Sequence, residues 1–380
     1  MIVLSSSVDS DLVAGIGARL GAGVDVFTTV SEARYRRWSA GGVPSRLALR
    51  ALGWVAHPVR LALRLLAAPR GTVFIVTTNP FFAPALAVWL GGWRRHRVVH
   101  HVFDLYPDAL EAAGVLRIGG WRSRAIAALT RSVQRRCAGA VYLGPGLRRH
   151  AENRHGRAAL AAVIDVAADE TLFGEPATAA AETPLTLHYG GQLGRMHDAA
   201  ALADAVRRLR PEREAGRVRF DFRVGGANAG QLLALDGEPG VAVGRVMPAE
   251  AWRRAARDMH VGLVTLTQAG AAVCLPSKTY ALLAAGLAVL AVAPAESDLA
   301  RIVEETGAGW VIDNAADVGG PAGGENAAAT GARLAALVRR LIDDAPEVRA
   351  RRRAARRAAT TRFGAEETAG KWRQFLARIP

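Results

Sequence analysis

Lys278 stands in the run Cys274-Leu275-Pro276-Ser277-Lys278-Thr279-Tyr280 of a chain that otherwise takes its positive charge from arginine; Lys371 is the only other lysine. Under that bias a solvated surface position would have become Arg. A retained Lys points to a site that needs a compact cation with three donors rather than a planar fork, although drift at a position of no consequence would leave the same residue. Pro276 and Ser277 open helices well, which puts Lys278 and Thr279 in a first turn where free N–H groups and the helix dipole favour an anion. Upstream, His188-Tyr189-Gly190-Gly191-Gln192-Leu193-Gly194-Arg195 follows a short apolar run. Its glycines let backbone N–H groups approach an anion and Arg195 can pair with it; a plain tight turn would use the glycines equally well. The spacing is not GxGxxG, and no acidic residue suits a ribose contact about twenty positions on, so a dinucleotide fingerprint is not supported. Val224-Gly225-Gly226 is a third anion-friendly turn, and three such turns in one half of the chain suit a nucleotide diphosphate.

In the first half, the run ending at Val102-Phe103 leads into Asp104-Leu105-Tyr106-Pro107-Asp108. A carboxylate directly after a central strand can order a hydroxyl or face a developing positive charge; it can equally cap the next turn. His100 and His101 precede it. Strand neighbours face opposite sides, so His101 goes with Phe103 while His100 goes with Val102 and Asp104. A histidine in a strand is either a catalyst or a packed core group. Thr77-Thr78-Asn79-Pro80 after the preceding run is a substrate contact or a helix start.

The elements that must position these residues alternate along the chain. Strands are predicted at 1–5, 24–28, 72–77, 98–103, 139–143 and 162–166, with helices at 82–90 and 123–136. After a charge-poor linker at 174–184, the alternation resumes. Strands are expected at 185–189, 217–224, 261–265, 288–292 and 310–312, and helices at 199–209, 280–285, 299–306, 332–341 and 348–361. The stretch 317–330 reads as a surface loop, and a helix at 366–379 closes the chain. This pattern gives parallel sheets covered by helices on both faces, in two α/β domains, with ligands at the carboxyl ends of the strands.

Two distant cysteines, Cys137 and Cys274, exclude a disulfide framework and a CxxC metal site, which favours a reducing cytosol. The amino terminus lacks the pattern of a signal peptide. The uncharged stretch 71–93 is interrupted by Asn79-Pro80 and Pro84, so a membrane span is not expected. The net charge of +15 calls for an anionic partner, and residues 1–175 hold 22 Arg against 12 acidic residues. Many of these arginines alternate with Leu, Ala and Trp, which suits an anionic membrane surface better than nucleic acid. Residues 45–70 place Arg46, Arg50, Arg60, Arg64 and Arg70 at helical intervals, with a kink expected at Pro58. That segment is either an interfacial helix or a core helix whose arginines line the solvent side.

With these residues in place, the chain resembles the GT-B glycosyltransferases of family 4, particularly the bacterial branch that builds cell-surface polysaccharides. The motifs occur in that family's order: Thr78-Asn79-Pro80, Asp104-Leu105-Tyr106-Pro107-Asp108, Ala168-Asp169 with Leu172-Phe173, Tyr189 to Arg195 with His197-Asp198, and Leu275 to Tyr280 with Ala284-Ala285-Gly286. The resemblance implies two Rossmann-like domains facing a central cleft. Residues 1–180 would bind the acceptor, 181–355 the nucleotide-sugar, and 356–380 would return toward the first domain. It implies transfer from a nucleotide donor, usually UDP-linked, with retention, no required cofactor and no metal. The acceptor would be a glycan or lipid-linked precursor, and the location cytoplasmic, peripheral on the inner face of the membrane. Asp104 and His101 would serve catalysis. Gly191, Gln192, Gly194, Arg195, Gly225, Ser277, Lys278 and Thr279 would hold the donor.

The family's two glutamates fall at Val273 and Ala281, so ribose would pass to Glu296 or Asp298. The positively charged pair aimed at the diphosphate falls near Gln192 and His197, leaving that charge to Arg195 and Lys278. A nucleotide-sugar epimerase and a catalytically silent relative that binds a membrane or a partner are the rival readings.

Overall fold

The structure, a computed structural model, describes residues 1–9, 11–21, 23–39, 41–169, 173, 184–315 and 324–380. They divide into two compact units, one of Met1–Ala167 with Ala365–Pro380 and one of Ala168–Gly364. Short apolar, β-branched runs form strands in chain order: β1 (Ile2–Ser5), β2 (Val8–Asp9), β3 (Val24–Phe27), β4 (Val30–Ser31), β5 (Val73–Thr77), β6 (Arg97–Val102), β7 (Gly139–Tyr142) and β8 (Ala161–Val163). The first sheet runs β3-β1-β5-β6-β7-β8, every pair parallel, and β2 pairs with β4 apart from it.

Strand alternation divides this sheet's residues between two helical layers. Leu4, Ile75, Val99 and Val141 pack with Val13 and Ile16 of the helix Asp11–Leu20 and with Trp372 and Phe375 of the helix Ala365–Ala377. Gly139 is required there, because a Cβ would lie 2.7 Å from the Phe375 ring. On the other face, Tyr142 donates a hydrogen bond to Gln134 (3.1 Å) in the helix Trp121–Arg136, and Val98 sits under Gly91 of the helix Ala83–Trp93. The closing segment joins this unit from Ala365, later than the expected 356. The helix Ala345–Thr360 stays with the second unit, where Arg352 and Arg356 donate to the carbonyls of Gly286 and Ala284.

The second unit contains β9 (Leu185–Gln192), β10 (Val218–Gly225), β11 (Val241–Gly244), β12 (Val261–Thr265), β13 (Ala288–Val292) and β14 (Gly309–Ile312), in the order β11-β10-β9-β12-β13-β14 and again parallel. Counted from β9 this is the 3-2-1-4-5-6 order of a dinucleotide-type fold, whose direction of winding reverses between the first and fourth strands. The crevice therefore opens after β9 and β12. Leu187, Tyr189, Phe220 and Phe222 form the core with the helices Ala199–Arg208 and Gly324–Asp343.

Three expectations change. Residues 324–330 are helical rather than loop, and 316–323 lie outside the described residues, as does the linker at 174–183. The segment carrying Pro58 is helical from Val43 to Ala67, and its distortion comes one turn earlier, as a π-helical stretch at Leu52–Ala56. Pro58 follows that stretch closely, so its missing N–H falls inside the continuous helix, at the turn where the regular ladder is already broken. Among the described residues no helix is long and apolar enough to cross a membrane.

Candidate functional site

Three loops at the crevice of the second unit are tied into one body. After β9, Leu193 N–H donates to Gly225 O (2.6 Å), and Asn228 Nδ2 donates to the carbonyls of Gly194 and His197 (both 3.2 Å). After β12, Thr267 N–H donates to Met196 O (2.8 Å), and His197 Nδ1–H donates to Thr265 O (2.6 Å). Gly191 (φ 107°) has open space where a Cβ would be, as a close-approaching ligand would need, and a Cβ at Gly194 would only touch the His197 ring at 3.9 Å. Gly226 is different: at φ 101° its Cβ would lie 2.9 Å from the Leu193 carbonyl oxygen, so this glycine serves loop packing. Gly226→Ala should destabilise the second unit by about 2 kcal/mol or more through left-handed strain and overlap, read as a lower urea midpoint.

Lys278 turns its ammonium inward. Nζ is buried, lies 3.7 Å from the centroid of the Tyr189 ring, and has no hydrogen-bond partner. Burial lowers its pKa from 10.5 to about 7, with the Cys274 side chain acting weakly the other way. His197 completes the group. Burial and then the charge of Lys278 hold its pKa near 4, so it is neutral at pH 7, with Nδ1 committed to Thr265. Burial also pushes the Tyr189 phenol far above its usual range; Thr265 Oγ1 offsets part of this, yet neither oxygen makes a hydrogen bond of ordinary geometry. A desolvated cation, two unpartnered hydroxyls and a neutral imidazole thus converge at the ends of β9 and β12. An anion entering there would meet a charge-assisted donor that holds no other partner.

The expected helix start is only partly as read. Lys278 does open the helix Lys278–Ala284, but Ser277 is exposed and makes no capping bond. Thr279 and Tyr280 already give their N–H groups to Pro276 and Ser277 carbonyls (3.1 and 3.2 Å). The side chain of Lys278, rather than the helix terminus, is the anion-ready feature. Gln192 and Arg195 are exposed at the rim, and Thr279 is buried with an unpartnered hydroxyl. Asp298 is buried and bonded to Arg301 (3.4 Å), while Glu296 after β13 is exposed. His188, in the same motif as the glycines, is structural: it donates from Nδ1 to Asp221 (2.8 Å) and accepts from Trp252 Nε1 (2.9 Å).

In the first unit, Asp104 follows β6, with its N–H on Thr78 Oγ1 (3.2 Å). Burial pushes its carboxyl up to about 6. His101 lies on the opposite face, packed between Phe103 (centroids 4.4 Å) and Trp372 (5.0 Å) and held neutral by burial. His100 shares Asp104's side instead: both line a small cavity with Thr78, Tyr106 and Thr130, and both ring nitrogens of His100 are unpartnered.

The loop carrying Asp104 is anchored by contacts that no motif announced. Asp108 accepts from His150 and His155 (both 2.7 Å) and pairs with Arg154 (3.0 Å); Arg154 also meets Glu111 (2.6 Å). Burial alone would raise the Asp108 pKa, but those hydrogen bonds and charges hold it well below the carboxylate range.

The strand orders and crevices define an α/β protein of GT-B fold, two Rossmann-like units with parallel sheets. Solved structures match nearly the full chain, three of them as follows. HepE of Anabaena, in complex with UDP and glucose, is 14% identical, covers 99% of this chain and 98% of its own, and gives a TM-score of 0.70. Sucrose-phosphate synthase of Thermosynechococcus elongatus is 13% identical, covering 100% and 98%, at 0.68. The trehalose-6-phosphate synthase OtsA is 11% identical, covering 100% and 99%, at 0.65. At such identities the likeness establishes the fold. No protein-family profile matches the chain, and no curated protein matches it by sequence.

Proposed function

We propose that this chain is a retaining glycosyltransferase of the family 4 type, taking a sugar from a UDP-linked donor and passing it to a glycan or lipid-linked acceptor. The observation that carries the reading is the buried, unpartnered Nζ of Lys278 at the switch point of a dinucleotide-type sheet. HepE, a protein of the same fold, holds UDP and glucose, which supports UDP as the nucleotide. The second unit takes the donor. Lys278 and Arg195 meet the diphosphate charge that grows as the anomeric C–O bond breaks, and N–H groups around Gly191 and Gly194 lie close by. Glu296, exposed after β13, holds the ribose in place of the carboxylate that Ala281 lacks; Asp298 is already engaged with Arg301.

The first unit takes the acceptor, whose hydroxyl oxygen forms the new bond on the face the diphosphate leaves. Asp104 orients that hydroxyl and receives its proton.

The test is thermal stabilisation by UDP-, GDP- and dTDP-sugars, run on wild type and Lys278→Ala. UDP-sugars should raise the wild-type Tm and leave the variant's unchanged. Absence of stabilisation by every nucleotide-sugar would sink the reading. A silent relative, favoured by the missing carboxylates at Val273 and Ala281, would be stabilised by UDP-sugar but release no UDP in the presence of acceptor extracts.

A further inference from the structure

Three helices lie side by side on one face of the first unit: the segment from Val43 to Ala67, Ala83–Trp93 and Trp121–Arg136. Arg94 at the end of the second donates to Ala68 O (3.3 Å) at the end of the first, and Arg136 of the third lies over the Trp89 ring of the second (5.6 Å). The outer surface of the first two helices is largely apolar, while the third exposes Arg122, Arg124, Arg131, Arg135 and Arg136 beside Trp121. Val59, Leu63, Leu66, Trp89, Trp93 and Trp121 are all exposed, Trp93 by 76% and Trp121 by 74%. Among the described residues, every exposed large hydrophobic except Leu233 belongs to the first unit. Not one Asp or Glu occurs in the three helices, while they hold nine arginines.

The arginines are divided in their use. Arg60 donates to Thr28 O and Thr29 Oγ1 (both 3.2 Å) and lies over Phe27, and Arg64 is paired with Asp25. These two are tied to the body of the unit, Arg60 while still exposed, and the same stretch turns Val55, Val59, Leu63 and Leu66 outward. Arg46 and Arg50 remain exposed, and Arg122 lies over its neighbour Trp121 (5.2 Å). Tryptophan beside arginine around an aliphatic centre, on helices that carry no carboxylate, is complementary to the headgroup zone of an anionic bilayer. Surfaces that only stay in water rarely group such residues.

We propose that this three-helix face docks on an anionic lipid bilayer by inserting its aliphatic and tryptophan side chains, with the flanking arginines at the phosphates. The surface stands on its own observations; its use, to present a lipid-linked acceptor, rests on the transferase reading. The apolar face adjoins a ring cluster in which Trp54 meets Phe81 (5.7 Å) and Phe81 meets Tyr106 (5.7 Å), leading to the loop of Asp104. An amphiphile held at the face would have its polar end at that cluster.

The experiment uses the full chain with vesicles of phosphatidylcholine mixed with phosphatidylglycerol, and with phosphatidylcholine alone. The parent should sediment with the mixed vesicles, keep part of that binding at high salt, and show tryptophan quenching by brominated lipid. Val59→Glu with Leu63→Glu should lower partitioning by roughly tenfold or more. Loss of all binding at high salt, or equal binding by the double variant, would overturn insertion. A parent dimer that the double variant dissolves, seen by light scattering, would assign the face to a second copy instead. UDP-sugar stabilisation, measured on the same samples, should be unchanged by the two glutamates. A failure of docking is thus separable from a failure of the transferase reading.

Discussion

Lys278→Met should make the nucleotide-free protein more stable and weaken its nucleotide binding. The ammonium is buried against Tyr189 without a hydrogen-bond partner, and its pKa drops from 10.5 to about 7. The unfolded chain therefore binds more protons than the native state between those values, and the penalty for folding with this lysine is fullest below pH 7 and fades toward pH 10.5. Met fills similar space without the charge. The gain at pH 7 should be on the order of 3 kcal/mol, shrinking as pH rises, when variant and parent are compared by denaturant unfolding. A diphosphate reverses the balance by giving the ammonium its partner. Removing it should cost about 1.5–3 kcal/mol of binding, or roughly ten- to a hundredfold in Kd. Binding above pH 7 must also take up a proton, so parent affinity should fall by up to about tenfold per pH unit there. Calorimetry in buffers of different ionisation enthalpy reads that proton directly. A Lys278→Met protein that is less stable and binds UDP-sugar normally would make Lys278 a packing residue.

How much of this was legible in the sequence depends on where the information lies. The strands β12 and β13 have the bounds that their β-branched runs predict, because fully buried parallel strands are marked by local composition. The four-residue β11 and the helix Pro145–His155 were not legible. That helix is mostly polar, buries only Leu147, Ala151 and His155, and is held by His150, Arg154 and His155 reaching carboxylates some forty residues earlier in the chain. Lys278 stood out by its rarity, yet its aim depends on Tyr189, brought beside it only by the crevice between β9 and β12.

Two misreadings have specific causes. Strand parity already separated His101 from Asp104, and the structure keeps them on opposite faces, with His100 on the side of Asp104. The outward residues of the helix from Val43 to Ala67 could not be read from a 3.6-residue period, because the π stretch Leu52–Ala56 adds a residue and rotates everything after it. Arg60 and Arg64 consequently face Thr28 and Asp25, and the aliphatic residues face out.

Asp104→Asn should lower turnover by about 10²–10⁴-fold, the usual contribution of a general base, while leaving UDP-sugar affinity intact. The carboxyl is withdrawn from water and its pKa is pushed up to about 6 by burial, so near neutrality it is an adequate acceptor for the proton of an attacking hydroxyl. Only the ionised form can accept that proton. The rate should therefore rise with pH through about 6 and lose this limb in the Asn variant. On the proposed reading Lys278 acts in the opposite sense, since a diphosphate would need its protonated form, and burial lowers that pKa to about 7 in the free protein. The profile of kcat/KM, which reports the free enzyme, should be a narrow bell with limbs near 6 and 7. That of kcat should keep the acid limb but extend further into alkali, because bound diphosphate raises the lysine's pKa. Both curves are measurable by coupled UDP release. If Asp104→Asn keeps its fold but loses UDP-sugar affinity, the carboxylate belongs to the donor site and the proposed roles of the two units are wrong.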